Sequence, residues 1–501
     1  MKRIALLILM ALCAVGQAQN INDALRYGTE GTQGTARFQA MGGAFGALGG
    51  DFSAINVNPA GSAVFANSLM AISMGNYNVS NDARYFGTPT EASTNDFELN
   101  QAGVALVFKN TNTESDWRKF TLAFNYDMVQ NFDQRVFASG NSNEGIDNYF
   151  LNFAQGVPFG SIARQDDEFL EDAYLDIGAV EGFGPQQAFL GYYGGVINVA
   201  DPDDPDNTDY SSNVQYSTVN QDFVSTTSGY NSKFTVNTAS QYKDKIFLGA
   251  SANFHSVLFD RFDEFTETGY DAGPVQRTIF DNLLRTTGSG FSFNLGAIAR
   301  LNDMVRVGAS YQSPTWYRLT EDFSQRIDSD DADNDIGFID LNQVNLFEPY
   351  RIKTPGKLNG SLALVFAKKG LLSLDYSYQD FSQSQLRPTT DPAFQSVNTD
   401  ISNNLGAVST LRIGGEYRIE RFSLRGGYRY QQSPFNNGVT VGDLNAISGG
   451  LGYNFGGSSL DLSLVRSEQE RNQRFFDTGI NAPAFINGVN TNVTLTYTLN
   501  F

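Results

Sequence analysis

Cysteine is all but missing from this sequence: Cys13 is the one thiol in 501 residues. It sits in the apolar run Ile4–Val15, behind Lys2 and Arg3 and ahead of Gly16-Gln17-Ala18. That is the pattern of a secretory signal peptide over residues 1–18, with the mature chain starting at Gln19. Leu12, directly before Cys13, argues against a lipid-modified cysteine, which wants a small residue there. The mature protein is therefore expected to lack thiols, which excludes disulfides, thiolate metal centres and cysteine nucleophiles. Histidine is as scarce. His255 stands alone, so a histidine-rich metal site cannot be built, and no serine or carboxylate signature beside it suggests catalysis. The acidic run Asp331-x-Asp333-x-Asp335 lacks the glycine and the closing glutamate of a calcium loop. No catalytic residue, metal or cofactor is expected. Basic charge is also short, 34 Lys and Arg against 54 Asp and Glu, and the net charge of −20 would repel nucleic acid. Finally, beyond residue 18 no apolar run nears the roughly 18 residues of a membrane helix.

What the chain does have is 40 Phe, 23 Tyr and 49 Gly, arranged in alternation. In the last ten residues Val493, Leu495, Tyr497, Leu499 and Phe501 fall on one face and Asn492, Thr494, Thr496, Thr498 and Asn500 on the other. An uncovered apolar edge of that length would aggregate in water. Closed against another strand, it has the roughly 9–11 residues of a membrane-spanning strand. Similar segments recur at Leu69–Asn78, Phe97–Phe108, Phe120–Phe132, Lys233–Tyr242, Ile246–Phe265, Gly290–Leu301 and Met304–Arg318. They continue at Lys357–Ala367, Leu371–Asp380, Thr410–Ile419, Phe422–Tyr430, Asn445–Phe455, Leu460–Ser467 and Val489–Phe501. The connections between these fourteen segments alternate long and short without exception. A soluble propeller or tandem sandwich would show repeats or linkers and has no reason to sort its loops. The pattern predicts an all-β membrane protein, a 14-stranded antiparallel transmembrane β-barrel over residues 69–501. It is expected in the bacterial outer membrane with both termini periplasmic. The last strand should close on Leu69–Asn78, and Phe501 should be the mark read by the barrel-assembly machinery.

Residues 19–68 precede the first strand. Phe38, Met41, Phe45, Leu48, Phe52 and Ile55 make them too apolar for a leader free in water. A compact N-terminal hatch, or plug, inside the lumen is expected instead. Here Gly42-Gly43-Ala44, Asp51, Ser53 and Asn58-Pro59-Ala60-Gly61 resemble the FadL-type outer-membrane transporters of hydrophobic compounds. The resemblance continues at Gly290-Phe-Ser-Phe-Asn-Leu-Gly296, Arg306–Pro314 and Thr354-Pro355, and it spans the mature chain. It implies diffusive uptake of long-chain fatty acids or aromatic hydrocarbons past a hatch, with a side exit at a kink in the third strand. Phe120–Phe132 contains no glycine or proline to mark such a kink.

Two groups of residues carry the functional expectation. Asn58, Pro59, Ala60 and Gly61, with Phe38, Phe45 and Phe52, are the candidate hatch and gate. In the longest loop, 133–232, Phe150, Leu151, Phe153, Phe159, Leu170, Tyr174, Phe189 and Tyr192 are the candidate extracellular ligand site, or else simply pack that loop on its neighbours. The lumen-face charges Arg306, Arg412, Glu416, Arg418, Arg425 and Arg429 could anchor the hatch or a ligand carboxylate. The expected partners are a hydrophobic small molecule, outer-membrane lipid and lipopolysaccharide. Two alternatives stay open: a subunit of an outer-membrane secretion or assembly complex with protein partners, and a receptor for another hydrophobic ligand such as heme.

Overall fold

The alternating segments pair with their sequence neighbours until the last meets the first. In the computed structural model, which describes residues 20–112, 114–165, 167–367 and 369–501, they form a closed 14-stranded antiparallel barrel. The expected signal peptide, residues 1–18, lies outside the described residues. The barrel strands are β1 (Leu69–Tyr85), β2 (Thr88–Lys109), β3 (Trp117–Asn131), β4 (Val219–Tyr242), β5 (Ile246–Thr268), β6 (Arg277–Arg300) and β7 (Val305–Gln312). The second half comprises β8 (Lys357–Phe366), β9 (Gly370–Asp380), β10 (Ala407–Ile419), β11 (Phe422–Gln431), β12 (Val441–Asn454), β13 (Ser458–Gln473) and β14 (Ala484–Asn500). Closure runs β1 against β14, from Leu69↔Asn500 to Arg84↔Phe485, so no apolar edge is left open. No described helix is long and apolar enough to cross a membrane.

The period of two decides which side chains meet lipid. On β14, Val493, Leu495 and Tyr497 are exposed on the outer wall, while Thr494 and Thr496 are buried inside. Aromatic side chains line both margins of this band: Phe108, Trp117, Phe120 and Phe422 at the short-turn end, and Phe254, Phe291, Tyr311 and Trp316 at the loop end. Such girdles belong to the two membrane interfaces.

The largest differences from the sequence reading lie on the long-loop side, where β6 also begins at Arg277 instead of Gly290. The β1–β2 ladder continues to Tyr85↔Thr88, although residues 79–96 lost the apolar alternation, because strands that rise out of the membrane need no greasy face. β4 likewise begins at Val219, not Lys233, fourteen residues earlier, which shortens the longest connection. The run Met304–Arg318 divides: β7 ends at Gln312 and a separate strand, Trp316–Ser329, resumes beyond Ser313-Pro314-Thr315. Proline offers no N–H to the ladder and marks the break.

Candidate functional site

The hatch threads the lumen as short turns: helix α1 (Ile21–Gly28), α2 (Ala36–Ala40), α3 (Ala54–Val57) and a 3₁₀ turn Pro59–Val64. Its seat is Asn58. The fully buried Asn58 Nδ2 donates to Gly46 O at 2.8 Å and Ala297 O at 3.0 Å, while Oδ1 accepts from Ala60 N–H at 3.1 Å. Pro59 O accepts from Asn237 Nδ2 at 3.0 Å, and Ala60 is buried against Phe247 and Ile298. Gly50 N–H donates to Gly61 O at 3.0 Å. The wall must be bare for this to fit. A Cβ on Gly296 would come within 2.1 Å of Asn58 Oδ1, and one on Gly308 within 2.3 Å of Gly46 O. Those two glycines are in β6 and β7 because backbone lies against backbone there.

The three hatch aromatics lie in two clusters. Phe38 and Phe45 are 5.6 Å apart beside Met41, Leu48 and Leu371, whereas Phe52 meets Phe65 at 5.3 Å near Ala105 and Ala123. Charge fixes the remaining side. Arg37 Nε donates to Glu416 Oε2 at 2.9 Å, and Arg425 joins Glu416 at 2.8 Å to Asp461 at 2.6 Å. Arg418 reaches Glu416 at 2.6 Å. Asp375 Oδ2 accepts from Phe45 and Gly46 N–H groups at 3.0 and 2.8 Å. Arg306 donates to Leu48 O at 3.2 Å, and Arg429 donates to Glu30 O at 3.1 Å. Five of the six lumen-face charges singled out in the sequence therefore hold the hatch or one another. Arg412 is the exception.

Arg412 faces a cavity of about 60 Å³ between hatch and wall, bordered also by Glu30, Asp127, Lys233, Gln312 and Lys357. Lys357 Nζ binds Glu30 Oε2 at 2.6 Å, and Gln312 Nε2 donates to Glu30 Oε1 at 2.9 Å. Burial alone would raise the Glu30 carboxyl, but Lys357 and Lys233 hold it well below the usual carboxylate range. Lys233 and Arg412 are only 4% and 8% exposed, yet among the described residues neither side chain has a hydrogen bond or ion pair. Buried cations are ordinarily paired, so these two present unused donors to a space the size of a headgroup. The sequence reading passed over Lys233, Glu30 and Lys357. Lys233 was visible as a cation on the polar face of β4; Glu30 looked like any acid of a polar turn.

The same cavity touches the point where the β2–β3 ladder ends. The β2–β3 ladder ends at Gln101↔Asp127, and the β3–β4 register slips between Met128 and Gln130. Hatch residue Gly31 donates to Val129 O at 3.1 Å, so the kink is made by a bulge and a hatch contact, without glycine or proline. Beyond it the strand Gln134–Ser142 pairs with β4 and turns inward, where Val136 and Ala138 pack on Ala83, Tyr85 and Ile486. Residues 88–100 of β2 are left without a ladder partner on that side. Asp96, Glu98 and Asp133 gather at this seam, their carboxylate oxygens within 4.8 Å of one another. Burial and the Asp96 carboxyl beside it push the Asp133 carboxyl up to about 7. Three carboxylates are hard-cation donors, though fewer than calcium's usual shell.

Above the seam lies a crown built from Ile146–Ala154, Leu170–Val180 and Phe183–Tyr193. Phe150, Leu170, Tyr174 and Phe189 are buried in one cluster with Phe159; Leu151, Phe153 and Tyr192 pack on its margin. The cluster includes barrel residues Phe223, Phe265 and Phe280, with Phe150 and Phe280 rings 5.2 Å apart. The loop candidates are thus brought together as a packed lid, with side chains turned inward. His255 is buried in the wall, its Nε2 3.1 Å from Ser292 Oγ and its Nδ1 3.3 Å from Tyr317 Oη.

The model of the outer membrane protein transport protein family (OMPP1/FadL/TodX) matches residues 207–473, more than half of the chain. Among solved structures, a FadL homologue from Pseudomonas aeruginosa is 13% identical over 95% of this chain and 100% of its own, with a TM-score of 0.55. The toluene transporter TodX of Pseudomonas putida is 12% identical over 95% and 100%, with a TM-score of 0.47. The toluene transporter TbuX of Ralstonia pickettii is 14% identical over 94% and 99%, with a TM-score of 0.44. No curated protein matches the sequence.

Proposed function

The chain belongs to the outer membrane protein transport family, a family of transporters and not of enzymes, and we propose that it admits hydrophobic molecules carrying an acid group, long-chain fatty acids foremost. The observation that carries this reading is the pair Lys233 and Arg412, buried beside the hatch with no direct hydrogen bond or close ion pair among the described residues. An aromatic hydrocarbon offers two desolvated cations only a ring face, whereas a carboxylate repays their burial with stronger, charge-assisted hydrogen bonds. The cavity has room for the headgroup alone, so the tail must lie along the kinked wall at Met128 and Val129. The short turns and Phe501 face the periplasm, and the long loops face outward.

Passage begins at the crown, whose margin residues Leu151, Phe153 and Tyr192 receive the ligand. It ends when the arm of residues 20–33 shifts. The seat at Asn58–Gly61, with Phe38, Phe45 and Phe52, serves as the fixed base for that shift. Gly31, which caps Val129 at the bulge, makes the arm and the side opening move together.

The test is uptake of a radiolabelled long-chain fatty acid and of toluene by cells carrying Lys233→Gln, Arg412→Gln or both. Each single change should lower fatty-acid uptake about ten-fold, the worth of one charge-assisted hydrogen bond, and leave toluene entry unchanged. Equal loss for both compounds would overturn the acid preference.

A further inference from the structure

On the outer wall, Gly415, Gly426 and Gly449 stand side by side on three neighbouring strands, in the register Gly415↔Gly426 and Gly426↔Gly449. The row toward the short turns carries Tyr417↔Leu424↔Leu451, and the row toward the loops carries Ile413↔Tyr428↔Ile447. Six bulky side chains in two ridges thus flank a valley with no side chains. At its β9 end the valley opens into a groove of about 500 Å³ lined by Phe366, Leu372, Tyr417 and Leu424. Every one of these four projects to the lipid side and is exposed. The remaining feature is charge. Lys369, in the short turn between β8 and β9, lines the same groove. Arg421 lies in the next short turn, between β10 and β11. The long loops, by contrast, hold the acidic runs Asp201–Asp209 and Asp328–Asp335.

We propose that this groove is a specific site for an anionic phospholipid of the leaflet at the short-turn end, one acyl chain lying in the glycine valley and the phosphate meeting Lys369. The site is apart from the proposed uptake route and independent of what cargo is carried. The valley is one side chain wide, which suits a single methylene chain and not a helix. A second copy packed here in an isologous contact would bring the same cations, Lys369 and Arg421, whereas a phosphate supplies the counter-charge.

Space permits a direct test. A Cβ at Gly426 finds its nearest atom, Ser448 O, at 3.9 Å, so Gly426→Leu fills the valley without disturbing the wall. Gly360, also on the lipid face but outside the groove, has nothing within 4 Å and supplies the control Gly360→Leu. The full-length barrel, with folding checked by heat-modifiable migration, is titrated in detergent with phosphatidylglycerol or phosphatidylethanolamine and read by native mass spectrometry. The wild type and Gly360→Leu should each retain one phosphatidylglycerol in preference to phosphatidylethanolamine. Gly426→Leu should lose most of that retention, and Lys369→Gln should abolish the preference between the two lipids. Unchanged retention in Gly426→Leu, equal loss in Gly360→Leu, or a stoichiometric protein in place of the lipid would each overturn the proposal.

Discussion

Between Arg37 and Val64 the hatch meets the barrel wall largely through backbone and charge: Asn58 against Ala297 O, Gly46 against Gly308, Arg37 against Glu416. The crown meets the same barrel mainly through rings: Phe150 on Phe280, with Phe223 and Phe265 in the same cluster, beside a few buried hydrogen bonds such as Tyr174 to Gln325. Both close the lumen, but they should fail differently. Hydrogen bonds and ion pairs are directional, respond to pH and can be exchanged for a ligand's own groups. Apolar packing is indifferent to pH and comes apart only when a cavity is opened. Contacts of the first kind, which also hold the arm at Glu30, suit a part that must move, and a lid that must stay folded is better held by the second.

The comparison breaks hardest in the crown. Phe280→Ala removes a fully buried ring and should cost the lid about 3–5 kcal/mol. Proteolysis of the 146–193 segment in intact cells would show this as rapid cleavage, while hatch protection stays as in the wild type. Gly296→Ile is the matching insult to the hatch. Its Cβ would fall on Asn58 Oδ1 and its branches on Pro59, an overpacking of about 1–3 kcal/mol or more. The barrel should still form, since the change opposes only the seat, but planar-bilayer recordings should show open-channel conductance that the wild type lacks. An unaltered conductance would mean that the seat does not hold the hatch.

The smallest effect sharpens the contrast through pH. Glu30 is held low by Lys357 and Lys233 in the folded state. A depressed carboxyl contributes stability above its unfolded value, near 4.5, and loses that contribution as pH falls from there toward the folded value. Hydrogen exchange of residues 20–33, corrected for intrinsic rates, should therefore speed up below about pH 4.5. The crown segment, held mainly by rings, should change less. Lys357→Met should remove much of the pH dependence; a wild-type arm as protected at pH 3.5 as at pH 7 would count against the Glu30 contact.

Legibility followed the membrane. Wherever lipid lies outside and the lumen inside, the side chains record it with a period of two, and all fourteen strand positions could be read. Above the membrane the record fades: residues 79–96 and Val219–Ser232 are strand, yet their outer faces meet water and only scattered inner residues such as Tyr85 and Phe223 are apolar. The candidate site was half legible. Asn58-Pro59 announced a fixed bend, and Arg37's partner Glu416 was recognised as a lumen charge. The pairing of Lys357 with Glu30 joins residues 327 apart in sequence, and no local pattern encodes it.

By itself the sequence determined the barrel, its strand number, its closure and the presence of a hatch. Each of these follows from short-range alternation, loop length or local composition, which a single pass along the chain contains. Tertiary structure alone decided which face of the hatch lies on which glycine, that the register of the third strand slips at Val129, and that the aromatic loop packs as a lid. It alone left Lys233 and Arg412 facing a cavity. The physical reason is that a strand's environment repeats every second residue, whereas a luminal contact depends on where fourteen strands and a hatch converge in space.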